Sequence, residues 1–294
     1  MKRKTIRQLL SFLSIGILVC TIQQSARCQD SLDVSQSVIT GGKRPTQLSI
    51  RVGPGNYSRQ DQIFSPFVHH DWSFVNVGLN YRWGQYSDQF IDFEFGSYNP
   101  SLVPTYEYND DDQTYPHSFT LVNLTYALGK EIFNSYTGES NTRIITGGFF
   151  EADVEASTYN FAWLGTFGYL APFSLGAWGE YQHNLGRRNS VSARLMLPLV
   201  SWVARSPYLA SDDEFIENNY THSGVDAFFN YLEDGELQTL NRIQQLEFNA
   251  GYKHSLSEKW SLGGLYEFRF MHSNKPLNFL SYRHTFYIQL FHTL

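Results

Sequence analysis

Histidine is the side chain best suited to acid–base or metal chemistry near neutral pH, so the histidine clusters come first. His69-His70-Asp71 brings two imidazoles and a carboxylate into one tripeptide. His272-Ser273-Asn274 brings a base, a hydroxyl and an amide into another. On an extended strand residues i and i+2 share a face, so a histidine that activates a serine there needs the order His-x-Ser. No histidine in this chain has a serine two residues on. Both tripeptides fall in expected loops, where such residues are ordinarily solvated. The run Asp110–Asp112 could attract calcium, an oxygen-seeking ion, but it lacks the spaced ligands and turn glycine of a calcium-binding loop. Gly53-Pro54-Gly55 and Gly147-Gly148 signal turns or strand bends, and no helix start follows them to make a phosphate cradle. Asn123-Leu124-Thr125 and Asn219-Tyr220-Thr221 have only the spacing of a glycosylation acceptor. The expectation is no enzyme, no metal and no cofactor.

What positions these residues is a two-residue alternation that recurs along the chain. From Ser281 to Leu294, Tyr282, His284, Phe286, Ile288, Leu290 and Leu294 share one parity, and Arg283, Thr285, Gln289 and Thr293 share the other. Side chains on a strand alternate between faces, so one face is apolar and the other largely polar. The same pattern marks strands at 47–52, 72–83, 89–97, 118–128, 143–150, 159–169, 175–185, 191–199, 246–254 and 260–270. No long amphipathic helix is found, and Phe215–Leu240 reads as a large loop. The fold class is all-β. Transmembrane barrels of single bacterial chains use even strand numbers. An extra strand at Leu102–Tyr108 would raise eleven to twelve, and the expected range is ten to twelve with twelve favoured.

The two ends suggest export. Residues 1–28 have a basic start (Lys2, Arg3, Lys4, Arg7), an apolar stretch from Leu9 to Ile22 and a small-residue site at Ala26-Arg27-Cys28, the layout of a removable signal peptide. The expected organisation is a signal at 1–28, an N-terminal segment at 29–45 and one barrel domain at 46–294. Removing 1–28 takes away five basic residues and no acid, so the mature chain is more acidic than the net −6 of the whole sequence. That balance argues against a nucleic-acid partner.

The terminal strand resembles that of bacterial outer-membrane β-barrel proteins. The resemblance implies that barrel assembly machinery reads Tyr282, Phe286, Ile288, Leu290 and Leu294, although that family usually ends in Phe. It also implies an outer-membrane location in a Gram-negative cell envelope, with membrane lipid as a partner. The aromatic-rich strands look most like small barrels of the Bacteroidota.

If the apolar face meets lipid, the polar parity lines the lumen. Its acids are Asp92, Glu94, Glu180, Glu247 and Glu267, and its bases are Arg82, Arg194, Lys253, Arg269 and Arg283. This balance suggests ion pairs across the lumen more than a selectivity ring of one sign. The expected role is structural, or one of interaction through the outer loops Gly53–Asp71 and Ser206–Asn241. The alternative is a narrow porin-like channel for small solutes. Less favoured are a soluble lipocalin-like barrel, with its apolar face inward, and an enzyme. A twelve-stranded barrel is similar to the outer-membrane phospholipases, but their His-x-Ser pair is missing.

Overall fold

The computed structural model describes residues 46–84, 87–101, 107–109, 112–113, 116–137, 140–161, 164–206, 229 and 232–294. The signal region, the segment 29–45 and Asn219-Tyr220-Thr221 lie outside them. Lys43–Leu294 is one compact unit.

The strands are β1 (Gln47–Asp61), β2 (His69–Trp83), β3 (Asp88–Tyr98), β4 (Glu107–Asn109), β5 (Asp112–Gln113), β6 (Ser118–Thr137) and β7 (Ser140–Phe161). They continue with β8 (Leu164–Leu185), β9 (Asn189–Arg205), β10 (Glu236–Thr239), β11 (Ile243–Ser255), β12 (Trp260–Ser273) and β13 (Phe279–Thr293). Neighbours pair antiparallel in the order β1-β2-β3-β6-β7-β8-β9-β11-β12-β13, and β13 returns to β1, with Gln47 opposite Thr293 and Asp61 opposite Phe279. This is a closed barrel of ten strands. β10 stands apart from the ring and pairs Glu236–Thr239 with Val200–Val203 of β9.

Twelve strands are therefore not what the chain forms. The stretch 159–169, read as one strand, belongs to two: β7 ends at Phe161 and β8 starts at Leu164. Alternation runs on through this tight hairpin, so the pattern alone cannot mark the turn. The expected strand Leu102–Tyr108 does not join the ring either. Residues 102–106 lie outside the described ones, and β4 pairs only with β5 in a separate two-stranded sheet.

Several strands also run further than their apolar alternation. β7 and β8 are each 22 residues long, about twice what a tilted strand needs to cross a bilayer. Gly53-Pro54-Gly55 is a bulge within β1, where the register with β2 shifts, so Gly53–Asp61 is strand rather than loop. Gly147 and Gly148 sit inside β7, opposite Trp178 and Ala177 of β8. Tight turns close the end of the barrel that holds Gln47 and Thr293, called here the terminal end. Gly186 (φ 76°) takes a left-handed conformation that side-chain-bearing residues rarely adopt in one of these turns.

Candidate functional site

The alternation sorts the side chains as a membrane requires. Ile50, Val52, Val77, Leu79, Ile91, Leu195, Phe286, Ile288 and Leu290 are exposed on the outer face. Between them on the same strands, Arg51, Asp92, Glu94, Arg283 and Gln289 are buried inside. A soluble lipocalin-like barrel reverses this arrangement. Near the terminal end Tyr81, Tyr181, Tyr252 and Trp260 are exposed outward, as in the interfacial girdles of membrane barrels. Tyr282 also faces out, and the Leu294 N–H donates to the Thr46 carbonyl at 2.9 Å.

The interior is crossed by paired charges. Arg269 on β12 reaches Glu94 on β3 (3.1 Å), Glu151 on β7 (2.8 Å), Glu247 on β11 (2.7 Å) and Glu267 on its own strand (3.2 Å). Glu94 also accepts from Arg283 at 2.7 Å and from Arg51. Arg283 reaches Glu267 at 2.8 Å, and Arg51 reaches Asp92 at 2.9 Å. Arg194 lies between Asp92 (3.6 Å) and Glu247 (3.3 Å). Nearer the terminal end, Arg82 clamps Asp88 at 2.7 Å and Glu180 at 2.9 Å. All the expected lumen charges except Lys253 are thus in ion pairs inside the barrel. Charges removed from water this completely persist only when paired, because removing one partner strands the other in a medium that solvates it poorly.

Several members of the network lay outside the sequence reading. Arg51 sits on the polar parity of β1, and Glu151, Asp153 and Glu155 occupy alternate positions of β7 just past the expected strand end at Phe150. Their i, i+2 spacing was the available signal. Asn123 belongs here too: its amide donates to Glu151 at 2.6 Å, so it is a buried interior residue.

Aromatic side chains fill the space the charges leave. Phe90, Ile145, Phe149, Trp178 and Met196 pack together toward the terminal end, and Tyr57, Tyr98, Phe119, Leu121 and Tyr159 toward the far end. At the far end Arg59 meets Asp61 (3.1 Å) and Glu155 (3.5 Å), and Arg205 meets Asp61 (2.7 Å). Phe64, from the β1–β2 connection, turns inward and stacks on Tyr159 at 5.1 Å. His69 opens β2 rather than lying in a loop. It is buried edge-on to His117, with ring centroids 4.7 Å apart. His117 Nδ1 accepts the Asn160 N–H at 2.9 Å, and burial holds its pKa below the usual histidine value. His272 and Ser273 end β12, where His272 meets Gln244 and Asn278, each at 2.8 Å. No group of three or more metal-ligating side chains occurs among the described residues.

Cavities lie between these groups, and two of them bear on the site. One, beside Tyr57, Glu151, Asp153 and Arg269, has a volume of about 30 Å³, room for a water or two. The other, of about 280 Å³, lies inside the terminal end between Arg82, Arg143, Glu180, Arg194 and Lys253.

The barrel is similar in structure to the outer-membrane protease OmpT of Escherichia coli, with a TM-score of 0.52 over 88% of this chain and 99% of that one, at 5% identity. The fold is that of an outer-membrane β-barrel. The attachment invasion locus protein Ail of Yersinia pestis (TM-score 0.27, 8% identity, 84% of this chain and 99% of that one) is a more distant match. So is the toluene transporter TodX of Pseudomonas putida (0.29, 8%, 86% and 91%). Protease, attachment protein and transporter are three different roles. No protein-family model and no curated protein matches the sequence. The outward apolar belt, the polar interior and closure of the ring make this a transmembrane barrel, in which each of the ten ring strands has a partner on both sides.

Proposed function

We propose that the protein is a closed outer-membrane barrel whose role is structural or one of interaction at its far end, rather than permeation. The observation that carries this reading is the Glu94–Arg269–Glu151 bridge. It joins β3, β12 and β7 through the middle of the lumen, at 3.1 and 2.8 Å. A solute path would have to part these pairs and expose their charges singly. The far-end connections are left to meet a partner, chiefly the described residues 232–242 that precede β11. Within them β10 lies against β9, and the Leu232 carbonyl accepts from Trp202 Nε1 at 3.1 Å. On the same reading the outward residues Tyr282, Phe286, Ile288, Leu290 and Leu294 guide insertion by the assembly machinery. The resemblance to small barrels of the Bacteroidota belongs with this proposal.

The second reading, a narrow channel, is favoured by the 280 Å³ cavity at the terminal end, which would be its vestibule. Swelling of proteoliposomes in an isosmotic pentose separates the two. The closed barrel gives no swelling above protein-free vesicles, and rapid swelling would favour the channel.

A further inference from the structure

The cavity at the terminal end has a chemical character that its volume alone does not convey. Lys253 on β11, Arg143 on β7 and Arg82 on β2 all line it. Around the ring of ten, β2, β7 and β11 lie three, three and four strands apart, so the three cations are spread almost evenly about the barrel axis. The registers hold them at similar depth. Lys253 is opposite Ser190, Arg143 opposite Gln182, and Arg82 opposite Gln47, all near strand ends.

The three are not equally committed. Arg82 is clamped by Asp88 and Glu180, and Arg143 Nη2 donates to Gln182 at 2.7 Å. Lys253 makes no ion pair among the described residues. Its Nζ lies 5.0 Å from the centre of the Phe291 ring, and it shares the cavity wall with Arg82 and Arg143. Like charges gathered in a partly desolvated space raise one another's energy, and an anion between them removes that cost. Asn80, Gln182, Asn249 and Gln289 add neutral hydrogen-bonding groups to the walls. The acids that line it, Asp88 and Glu180, both bond to Arg82. The floor is the paired layer of Arg51 and Arg194 with Asp92.

We propose that this vestibule binds a small oxyanion, a phosphate or carboxylate group, with Lys253 as its principal cation and Arg143 as the second. The ligand enters from the terminal end and stops at the Arg51–Arg194 floor. Binding there does not require the lumen to be closed, so it is tested separately from the reading above.

The test is reductive methylation of the full mature barrel in detergent, at constant ionic strength, with each lysine followed by mass spectrometry. Inorganic phosphate or succinate is the added anion, and Lys259 in the β11–β12 turn is the internal reference. Binding slows modification of Lys253 saturably, by about fivefold at four times the dissociation constant, and leaves Lys259 unchanged. Protection by phosphate alone, or by succinate alone, supports the site and names the oxyanion. Lys253→Met, checked for the heat-dependent gel shift of a folded barrel, should abolish calorimetric binding of whichever anion protects Lys253. Equal rates at Lys253 with and without both anions, or unchanged calorimetric binding by the folded variant, would overturn the proposal.

Discussion

Arg269 and Glu94 stand 3.1 Å apart although they belong to β12 and β3, with β13, β1 and β2 between them around the wall. A contact between strands so far apart can be made only through the lumen. The same guanidinium reaches Glu151 on β7, so one side chain holds three sides of the barrel together.

Replacing that side chain tests what the network is worth. Arg269→Met keeps much of the volume but leaves Glu94, Glu151, Glu247 and Glu267 without their shared cation. Loss of one partner from a buried pair costs about 3–5 kcal/mol. The urea midpoint of the folded barrel in lipid vesicles should fall accordingly, and Arg269→Lys should fall between the two.

Gly78 is fixed by the same layer. It lies opposite Arg51 in the β1–β2 pair, and a Cβ there would stand 2.4 Å from Arg51 Nε. Gly78→Ala should therefore push the guanidinium away from Asp92 and Glu94, with a loss of about 1–3 kcal/mol. At Gly148 the nearest atom to an added Cβ is a backbone oxygen at 3.6 Å. Gly148→Ala should change stability by less than about 0.5 kcal/mol in the same assay.

Ile288 tests which face meets lipid. It is 66% exposed on β13, which in water would make a charge there harmless. In a bilayer, Ile288→Arg should cost about 2–4 kcal/mol near the midplane. The measurement is the folded fraction after refolding into vesicles. Gln289→Leu, on the inward face, should leave lipid insertion intact.

His117 gives the far end a pH dependence. Burial lowers its folded pKa, so below the ordinary histidine range the unfolded chain takes up the proton more readily than the folded one. Its contribution is complete above about pH 6.5 and declines as pH falls from there toward the folded value. His117→Gln should flatten the fall in stability between pH 7 and pH 5.5, a range above most carboxylate titration, as followed by urea midpoints.

The sequence made the wall legible and the filling only in part. The alternation of Ser281–Leu294 matches β13 because one face meets lipid along nearly its whole length. It failed at 159–169, where aromatics continue at odd positions across two strands although Tyr159 is buried inside and Phe167 is exposed outside. The lumen charges on β2, β3, β8, β9, β11, β12 and β13 were readable as polar members of apolar strands. Glu151, Asp153 and Glu155 were not, because β7 continues beyond its clearest apolar stretch and the expected strand stopped at Phe150. Arg59 and Asp61 were hidden for a different reason: Gly53-Pro54-Gly55 has the composition of a turn, yet here it makes a bulge that β1 passes through. No local pattern could show that Arg269 meets Glu94. That contact depends on ring closure, which brings together strands distant in sequence.

Closure of the lumen by these pairs is the centre of the account, and single-channel recording in planar bilayers tests it most directly. The refolded wild-type barrel should show no stable unitary openings at moderate voltage, whereas Arg269→Ser, which removes the bridge between Glu94 and Glu151, should show them if it folds. Stable unitary openings in the wild type, unaltered by that substitution, would contradict it.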